Sequence, residues 1–338
     1  MKCNMKQWVA DMINSPVKKG MPVLSFPAIQ KMGITVKDLI SSSELQARGM
    51  QIIAENTDAA ASVSLMDLSV EAECFGSVIR VSDEEVPTVI GSVVNSEEDA
   101  DALEIPEIGA GRTSIYIEAI EKAAGLITDR PILAGAIGPF SLAGRLMDVS
   151  EAMIYCYEEP DMVHTVLEKV TKFIINYCNE YKRAKANGIV LAEPLAGLLS
   201  PALAEEFSAN YVKQIVDAVQ DDEFIIVYHN CGNCTIQQID SIIATGSLFL
   251  HFGNAIDMAE MMPHIPADII AAGNVDPAGQ FRNGTVESVK AATKEIMEKC
   301  CKYPNFVISS GCDIPPLSKW ENIDAFFEAV NEYYQADA

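Results

Sequence analysis

The sequence predicts an α/β fold in which eight parallel strands and their helices close into a (β/α)8 TIM barrel. Three observations favour it: the apolar runs are short, most are followed by a helical segment, and polar side chains gather where the runs end. The predicted strands are residues 22–26, 60–68, 131–137, 188–192, 223–228, 248–253, 268–273 and 305–310. A doubly wound open sheet is the alternative that the same alternation allows.

The first third of the chain is less regular than the rest. Residues 1–20 are expected to form a short leading helix and a loop, and residues 43–57 a helix, because apolar side chains recur there at three- and four-residue spacings. Residues 75–110 hold two short β-like pieces and an acidic connection, which we interpret as an insertion over one end of the barrel. The prediction is therefore one domain, residues 1–338, that carries this insertion.

From residue 113 onward, helices and strands alternate evenly. The predicted helices are residues 113–127, 149–157, 161–186, 201–219, 235–244, 286–301 and 321–334. Pro160 separates the second from the third, and Asp161 is expected to cap the third.

Composition narrows the possible classes of protein. The chain has 48 acidic and 24 basic residues, a net charge of −24, which argues against binding to nucleic acid or to an anionic membrane surface. No apolar run approaches the roughly 18 residues of a membrane helix, and the N-terminus does not resemble a signal peptide. The nine cysteines are odd in number and irregularly spaced, which favours reduced thiols in a cytoplasmic protein.

The fifth predicted strand ends in a motif that can bind a metal. His229 and Cys231 lie two residues apart at the end of an extended run, so their side chains project to the same side. Cys312 follows the last predicted strand, and a barrel would bring both strand ends to one rim. One imidazole and two thiolates suit zinc, and three protein ligands leave a fourth position open for catalysis.

Two other interpretations of this motif stay open. Cys231 and Cys234 form a C-x-x-C pair, which is compatible with a redox couple or a four-ligand structural zinc site. The chain lacks a second C-x-x-C, which disfavours the structural site.

Further polar side chains follow predicted strands and are candidates for the same rim. They are Asp67, Glu193, His251, Asn274, Asp276 and Asp313. Glu193 is a candidate fourth zinc ligand, against the alternative of a bond to a loop amide. Asp67, Asn274 and Asp276 are candidates for contacting a cofactor or substrate, against the alternative of capping the turns that follow. His251 and His264 are more typical of structural histidines.

The chain resembles the uroporphyrinogen decarboxylase superfamily, and within it the zinc-dependent methyltransferases of the methylcobamide:coenzyme M type. The resemblance covers nearly the whole chain. The matching stretches are residues 66–76 (MDLSVEAECFG), 138–143 (GPFSLA), 193–194 (EP), 229–232 (HNCG), 273–277 (GNVDP) and 310–315 (SGCDIP).

The resemblance implies a (β/α)8 barrel with zinc held by His229, Cys231 and Cys312 at its mouth. It also implies a methylated corrinoid, carried on a separate corrinoid protein, as methyl donor and a thiol such as coenzyme M as acceptor. A basic residue is then expected near a sulfonate, and Arg145, Arg282 and Lys319 are candidates. A homodimer stays open.

Two other functions are compatible with the same fold. One is a metal-free lyase that resembles uroporphyrinogen decarboxylase, but those enzymes carry an arginine-rich element near the N-terminus, whereas residues 26–32 (FPAIQKM) contain no arginine. The other is a non-catalytic module that binds a corrinoid or a corrinoid protein.

Overall fold

The computed structural model describes residues 3–336 and contains a central parallel sheet. Within these residues seven strands form it: β1 (Ser62–Val63), β4 (Ile132–Ile137), β5 (Gly188–Ala192), β6 (Ile225–Asn230), β7 (Phe249–Phe252), β8 (Ile270–Val275) and β9 (Phe306–Ser310). They are hydrogen-bonded in chain order, whereas a doubly wound sheet reverses its order at a switch point. The topology is therefore TIM-barrel-like, and the doubly wound alternative is wrong.

The first predicted strand, residues 22–26, is not a strand in the structure. Its chain nevertheless lies between the two ends of the sheet, because Met21 N donates to Ile308 O at 2.9 Å and Ala60 N donates to Gly20 O at 2.9 Å. Pro22 has no N–H to give to a ladder. The N–H of Val23 is bound by the Ser310 hydroxyl, at 2.9 Å, instead of by a carbonyl.

The strands that carry the site are buried on both faces. Every residue of β4, β5 and β6 is buried, as in parallel sheets whose outer face is covered by helices. Register partners across β5, β6 and β7 include Ala192, His229 and His251, which therefore stand in one row. The fold thus places two imidazoles on adjacent strands at the same height.

The helices cover the sheet between successive strands. They are α1 (Met5–Asn14), α2 (Ala28–Met32), α3 (Val36–Ile40), α4 (Ser43–Asn56), α5 (Val70–Cys74), α6 (Glu97–Ala102), α7 (Thr113–Leu126), α8 (Pro139–Met147), α9 (Val149–Glu158), α10 (Pro160–Arg183), α11 (Pro201–Ala204), α12 (Asn210–Val219), α13 (Ile239–Ala244), α14 (Met258–Met261), α15 (Val286–Cys300) and α16 (Trp320–Ala336). Short 3-10 turns span Ala196–Leu198, Thr235–Gln238 and Met262–His264, and π turns span Glu205–Ala209 and Pro277–Arg282. No helix within residues 3–336 is both long and apolar enough to cross a membrane.

Most predicted helices are confirmed, with two corrections. Helix α10 begins at Pro160, with Glu159 at its N-cap and no capping side chain, so the cap predicted at Asp161 is wrong. Helix α8 was not predicted, nor were the short helices α2, α3, α5, α6 and α14. The nine residues of α8 are buried except for Arg145, so one charged side chain in a short segment is the main mark of its solvent-facing side.

Residues 75–110 contain the two β-like pieces predicted from the sequence. They pair as an antiparallel hairpin of β2 (Val78–Arg80) and β3 (Thr88–Ile90), and α6 follows the hairpin. Arg112, just after this segment, donates from Nη1 to Asp67 at 2.5 Å and from Nε to Glu73 at 2.7 Å. These bonds join the end of the segment to the residues that follow β1.

Candidate active site

The carboxyl ends of β6 and β9 border a small cavity of about 60 Å³. His229, the fifth residue of β6, lines this cavity together with Cys312, which lies two residues beyond β9. The other wall residues are Val23, Met66, Leu68, Val190, Ala192, Pro194 and Asp313. The structure thus brings two of the three predicted zinc ligands to one mostly apolar space.

A chain of hydrogen bonds determines which nitrogen of His229 carries the proton. The Ser309 hydroxyl donates to Met21 O at 2.6 Å, so it must accept from His251 Nε2, 2.8 Å away. His251 Nδ1 is then the lone-pair nitrogen and accepts from His229 Nδ1, at 2.7 Å. The remaining nitrogen, His229 Nε2, therefore bears a lone pair.

That lone pair has no partner in the described part of the chain. His229 Nε2 is buried and makes no hydrogen bond, although buried polar atoms are almost always bonded. Burial lowers the pKa of His229 to about 4. The pKa of His251 lies well below its usual value, mainly because of burial and secondly because of the charge on the neighbouring His229. Both rings are neutral at pH 7, as a metal-binding imidazole must be.

Cys231 lies near Cys312 but does not line the small cavity. The pKa of Cys312 is raised to about 12, first by burial and then by the charges of Cys231 and Asp313, and burial raises the pKa of Cys231. The backbone packs tightly here: a side chain at Gly253 would collide with Cys231 Cβ, and one at Gly197 with the Cys231 carbonyl oxygen. Glycine is required at both positions.

The donor chemistry of these residues fits zinc. An imidazole nitrogen without a partner and two thiols are donors that zinc binds. Within residues 3–336, however, no three His, Cys, Asp or Glu side chains are grouped closely enough to hold a metal ion. The donors are therefore of the right kind and close to the cavity, but they do not form a completed coordination set.

Glu193 faces the start of α8 instead of the small cavity. Its two carboxylate oxygens accept from the backbone N–H groups of Phe140, at 3.0 Å, and Ser141, at 2.6 Å. Burial raises its pKa to about 7 against these bonds. These bonds match the alternative interpretation of Glu193, in which it bonds to a loop amide instead of to zinc.

Cys234 does not line the small cavity either. It stands at the N-cap of the 3-10 turn Thr235–Gln238.

The three predicted cofactor contacts all bond to protein groups. Asp67 accepts from Arg112, from the Tyr116 hydroxyl at 2.7 Å and from Ser69. Asn274 Nδ2 donates to the carbonyls of residues 253 and 256, at 2.9 and 2.6 Å. Asp276 accepts from the N–H groups of residues 278 and 279 and so caps the π turn that follows.

Sequence reasoning undervalued His251, which is the hydrogen-bond partner of His229. The sequence signal for it was only that each imidazole falls near the end of a predicted strand; their common register is visible in the structure alone. His264 ends a 3-10 turn away from this pair.

A larger cavity of about 480 Å³ adjoins the small one. The two share the wall residues Met66, Leu68 and Asp313. Arg145 and Arg282 line the larger cavity, whereas Lys319, the third candidate for an anion contact, does not. Residues 84–89, which end the β2–β3 connection and begin β3, form one side of it.

Comparison with known proteins relates the chain to one family. Residues 20–333 match the family model described as uroporphyrinogen decarboxylase (URO-D). The methylcobamide:CoM methyltransferase MtbA of Methanosarcina acetivorans is 29% identical over 272 residues, which are 79% of this chain and 78% of that protein. A uroporphyrinogen decarboxylase of Coxiella burnetii is 25% identical over 286 residues, 81% of this chain and 77% of that protein. Among solved structures, a methyltransferase from Methanosarcina mazei has a TM-score of 0.85 at 24% identity and covers 98% of both chains, a likeness of fold.

Proposed function

The chain belongs to the uroporphyrinogen decarboxylase (URO-D) family, and on that premise we propose that it is a zinc-dependent methyltransferase. It takes a methyl group from a methylated corrinoid and gives it to a thiol such as coenzyme M. The relatives named methylcobamide:CoM methyltransferase support both substrates.

One observation carries the proposal. The Nε2 lone pair of His229 is buried without a partner, in a cavity that the Cys312 thiol also lines. A decarboxylase without a metal has no need for a neutral imidazole and a thiol that line the same cavity. A metal site needs both.

His229, Cys231 and Cys312 would hold the zinc. When bound, the metal lowers the pKa of an acceptor thiol, so that the sulfur is presented as a thiolate at pH 7. His251 and Ser309 keep the proton of His229 on Nδ1 and orient its ring. The apolar walls, among them Val190 and Ala192, keep water from the sulfur.

The transfer itself is a displacement at carbon. The acceptor sulfur supplies the electron pair for the new sulfur–carbon bond, and the cobalt–carbon bond breaks with its pair remaining on the corrinoid cobalt. The protein contributes position, because alignment of sulfur, methyl carbon and cobalt converts an encounter into an intramolecular step.

The metal-free decarboxylase is the disfavoured alternative, although relatives of that name match at 25–27% identity. Its substrate carries several carboxylates that need cations. In the described structure residues 26–32 offer none to either cavity. Gln30 donates to the carbonyls of Pro316 and Ser318, and Lys31 lies over the Trp320 ring.

Four further proposals accompany this function. Residues 1–338 form a single domain, in which residues 75–110 are an insertion beside the larger cavity; the cavity wall formed by residues 84–89 supports this.

A corrinoid protein delivers the methyl donor at the carboxyl ends of the strands. The protein works in the cytoplasm, where its cysteines, which form no disulfide within the described residues, stay reduced. A homodimer is compatible with this function.

The test is zinc content together with methyl transfer. We expect about one zinc per chain, loss of zinc in Cys312→Ser, and methylation of 2-mercaptoethanesulfonate by free methylcobalamin in the wild type. Cys234→Ser is the matched control and should keep its zinc; loss there would favour the four-ligand structural site. Protein that binds no zinc and releases CO₂ from uroporphyrinogen would overturn the proposal.

A further inference from the structure

The larger cavity contains a charged group without a counterion. Arg145 lies on α8, and its Nε is buried with no hydrogen-bond partner. In the described residues no carboxylate lies within ion-pair distance of its guanidinium. Burial lowers the pKa of Arg145, as expected for a charge that the protein does not compensate.

Such isolation is unusual in a chain with 48 acidic residues. Four of the seven arginines form ion pairs with carboxylates: Arg48, Arg112, Arg130 and Arg183. Within the described residues three do not. Arg80 is one of them and is exposed on β2, where water solvates it. The other two, Arg145 and Arg282, line the same cavity.

The acids of this cavity do not neutralise the arginines. Glu84, Glu85 and Asp313 line it too, but none is within 4 Å of either guanidinium in the described structure. A partly buried guanidinium without an anion costs stability, so a ligand that supplies the anion would offset this cost.

We propose that Arg145, assisted by Arg282, binds the anionic group of the acceptor thiol. This inference rests on the proposed function and names the substrate class: a short thiol that carries a sulfonate or a carboxylate. The planar guanidinium matches both groups, since it can donate two parallel hydrogen bonds. The two cavities share the wall residues Met66, Leu68 and Asp313, so the space lined by Arg145 adjoins the space lined by Cys312.

Direct binding of 2-mercaptoethanesulfonate, measured by calorimetry, tests the anion site without requiring catalysis. Arg145→Gln should weaken binding about 10- to 100-fold, the range expected for charge-assisted hydrogen bonds, and Arg145→Lys should weaken it less. Binding of neutral 2-mercaptoethanol should be unaffected by either change. Arg80→Gln is the matched control, because it removes an unpaired arginine outside both cavities. Equal loss for the neutral and the anionic thiol would overturn the proposal.

Thermal unfolding separates a binding role from a structural one. Since Arg145 makes no ion pair, Arg145→Gln should unfold at the same temperature as the wild type or a higher one when no thiol is present. A lower midpoint would mean that the arginine supports the fold, and would contradict the proposal.

A corrinoid can carry a phosphate, so the source of the anion is tested as well. Methyl transfer from methylcobalamin is compared with transfer from methylcobinamide, which lacks the phosphate. If Arg145→Gln raises the KM for methylcobalamin alone and leaves the KM for the thiol unchanged, the acceptor assignment is overturned. If the anionic thiol binds through Arg145 but receives no methyl group, the anion site stands and the proposed function fails.

Discussion

At the scale of single residues, His251 decides which lone pair His229 presents. We predict that His251→Phe lowers zinc affinity about 10- to 100-fold, because the ring then no longer accepts from His229 Nδ1. Competition with a chelator measures the affinity, and nitrogen NMR of His229 reports its tautomer. His251→Gln, which keeps an acceptor, should lose less.

His264→Gln, on the 3-10 turn Met262–His264, is the control for this prediction and should bind zinc like the wild type. Unchanged affinity in His251→Phe would show that His229 needs no partner.

Glu71 predicts a pH dependence of stability. Its Oε1 accepts from Ile137 N at 3.0 Å, its Oε2 is buried without a partner in the described residues, and burial raises its pKa from 4.5 to about 7. The folded protein therefore holds a proton that the unfolded chain releases between these values, and stability falls as pH rises through this window.

Glu71→Gln replaces the titrating carboxyl group by an amide that does not titrate. We expect the free energy of unfolding of the variant, relative to the wild type, to increase by up to about 3 kcal/mol between pH 5 and pH 8. Urea denaturation at several pH values measures it, with the exposed Glu121→Gln as control. A difference that does not change with pH would contradict the burial argument.

The place of a residue in the candidate site could be predicted only where a pattern along the sequence indicates it. His229 and Cys312 follow apolar runs, and a barrel brings strand ends together, so their approach to one cavity was predictable. The role of His251 depends on the register between β6 and β7, which no spacing along the chain encodes. Asp67 and Asp276 bond to the backbone and to neighbouring side chains. Only coordinates can distinguish such a structural role from contact with a cofactor.

At the scale of elements, Glu193 connects the end of β5 to the start of α8. We predict that at pH 5, where the Glu193 carboxyl is neutral because burial raises its pKa to about 7, Glu193→Gln destabilises the protein by about 1 to 3 kcal/mol. Either carboxyl oxygen can accept from an N–H group, whereas the amide nitrogen faces one of the two N–H groups with a donor. Urea denaturation measures the loss.

Glu159→Gln is the matched control, since Glu159 is at the N-cap of α10 without a capping bond and should cost little. Zinc content distinguishes the two roles of Glu193: unchanged zinc with lower stability fits the helix start, whereas loss of zinc would favour the fourth-ligand alternative.

The elements that sequence reasoning misjudged share a physical cause. Residues 22–26 are apolar enough for a strand, but Pro22 lacks a donor and the Ser310 hydroxyl takes the place of a ladder carbonyl. Helix α8 is nine residues long and buried except at Arg145, so its amphipathic pattern depends mainly on one charged side chain. In both cases tertiary contacts outweighed the local pattern.

At the scale of the whole molecule, Arg112 joins the segment 75–110 to the sheet. It is nearly buried and donates to Asp67, Glu73 and Ser69, while the Asp67 carboxylate is fully buried. Arg112→Met leaves that carboxylate without its cation. We expect a loss of about 3 to 5 kcal/mol in the free energy of unfolding, the range for breaking a buried pair from one side.

Amide hydrogen exchange shows which elements lose stability in the variant. In Arg112→Met, the amides of the hairpin β2–β3 and of α6 should exchange faster, because the segment loses its bonds to the residues after β1, while those of β5 and β6 should keep their protection. Arg48→Met, which breaks an exposed pair with Glu55, is the control and should change stability by no more than about 1 kcal/mol. Uniformly faster exchange would mean that Arg112 supports the whole sheet. Unchanged exchange in the hairpin would mean that packing alone holds the segment, including the wall of the larger cavity that residues 84–89 provide.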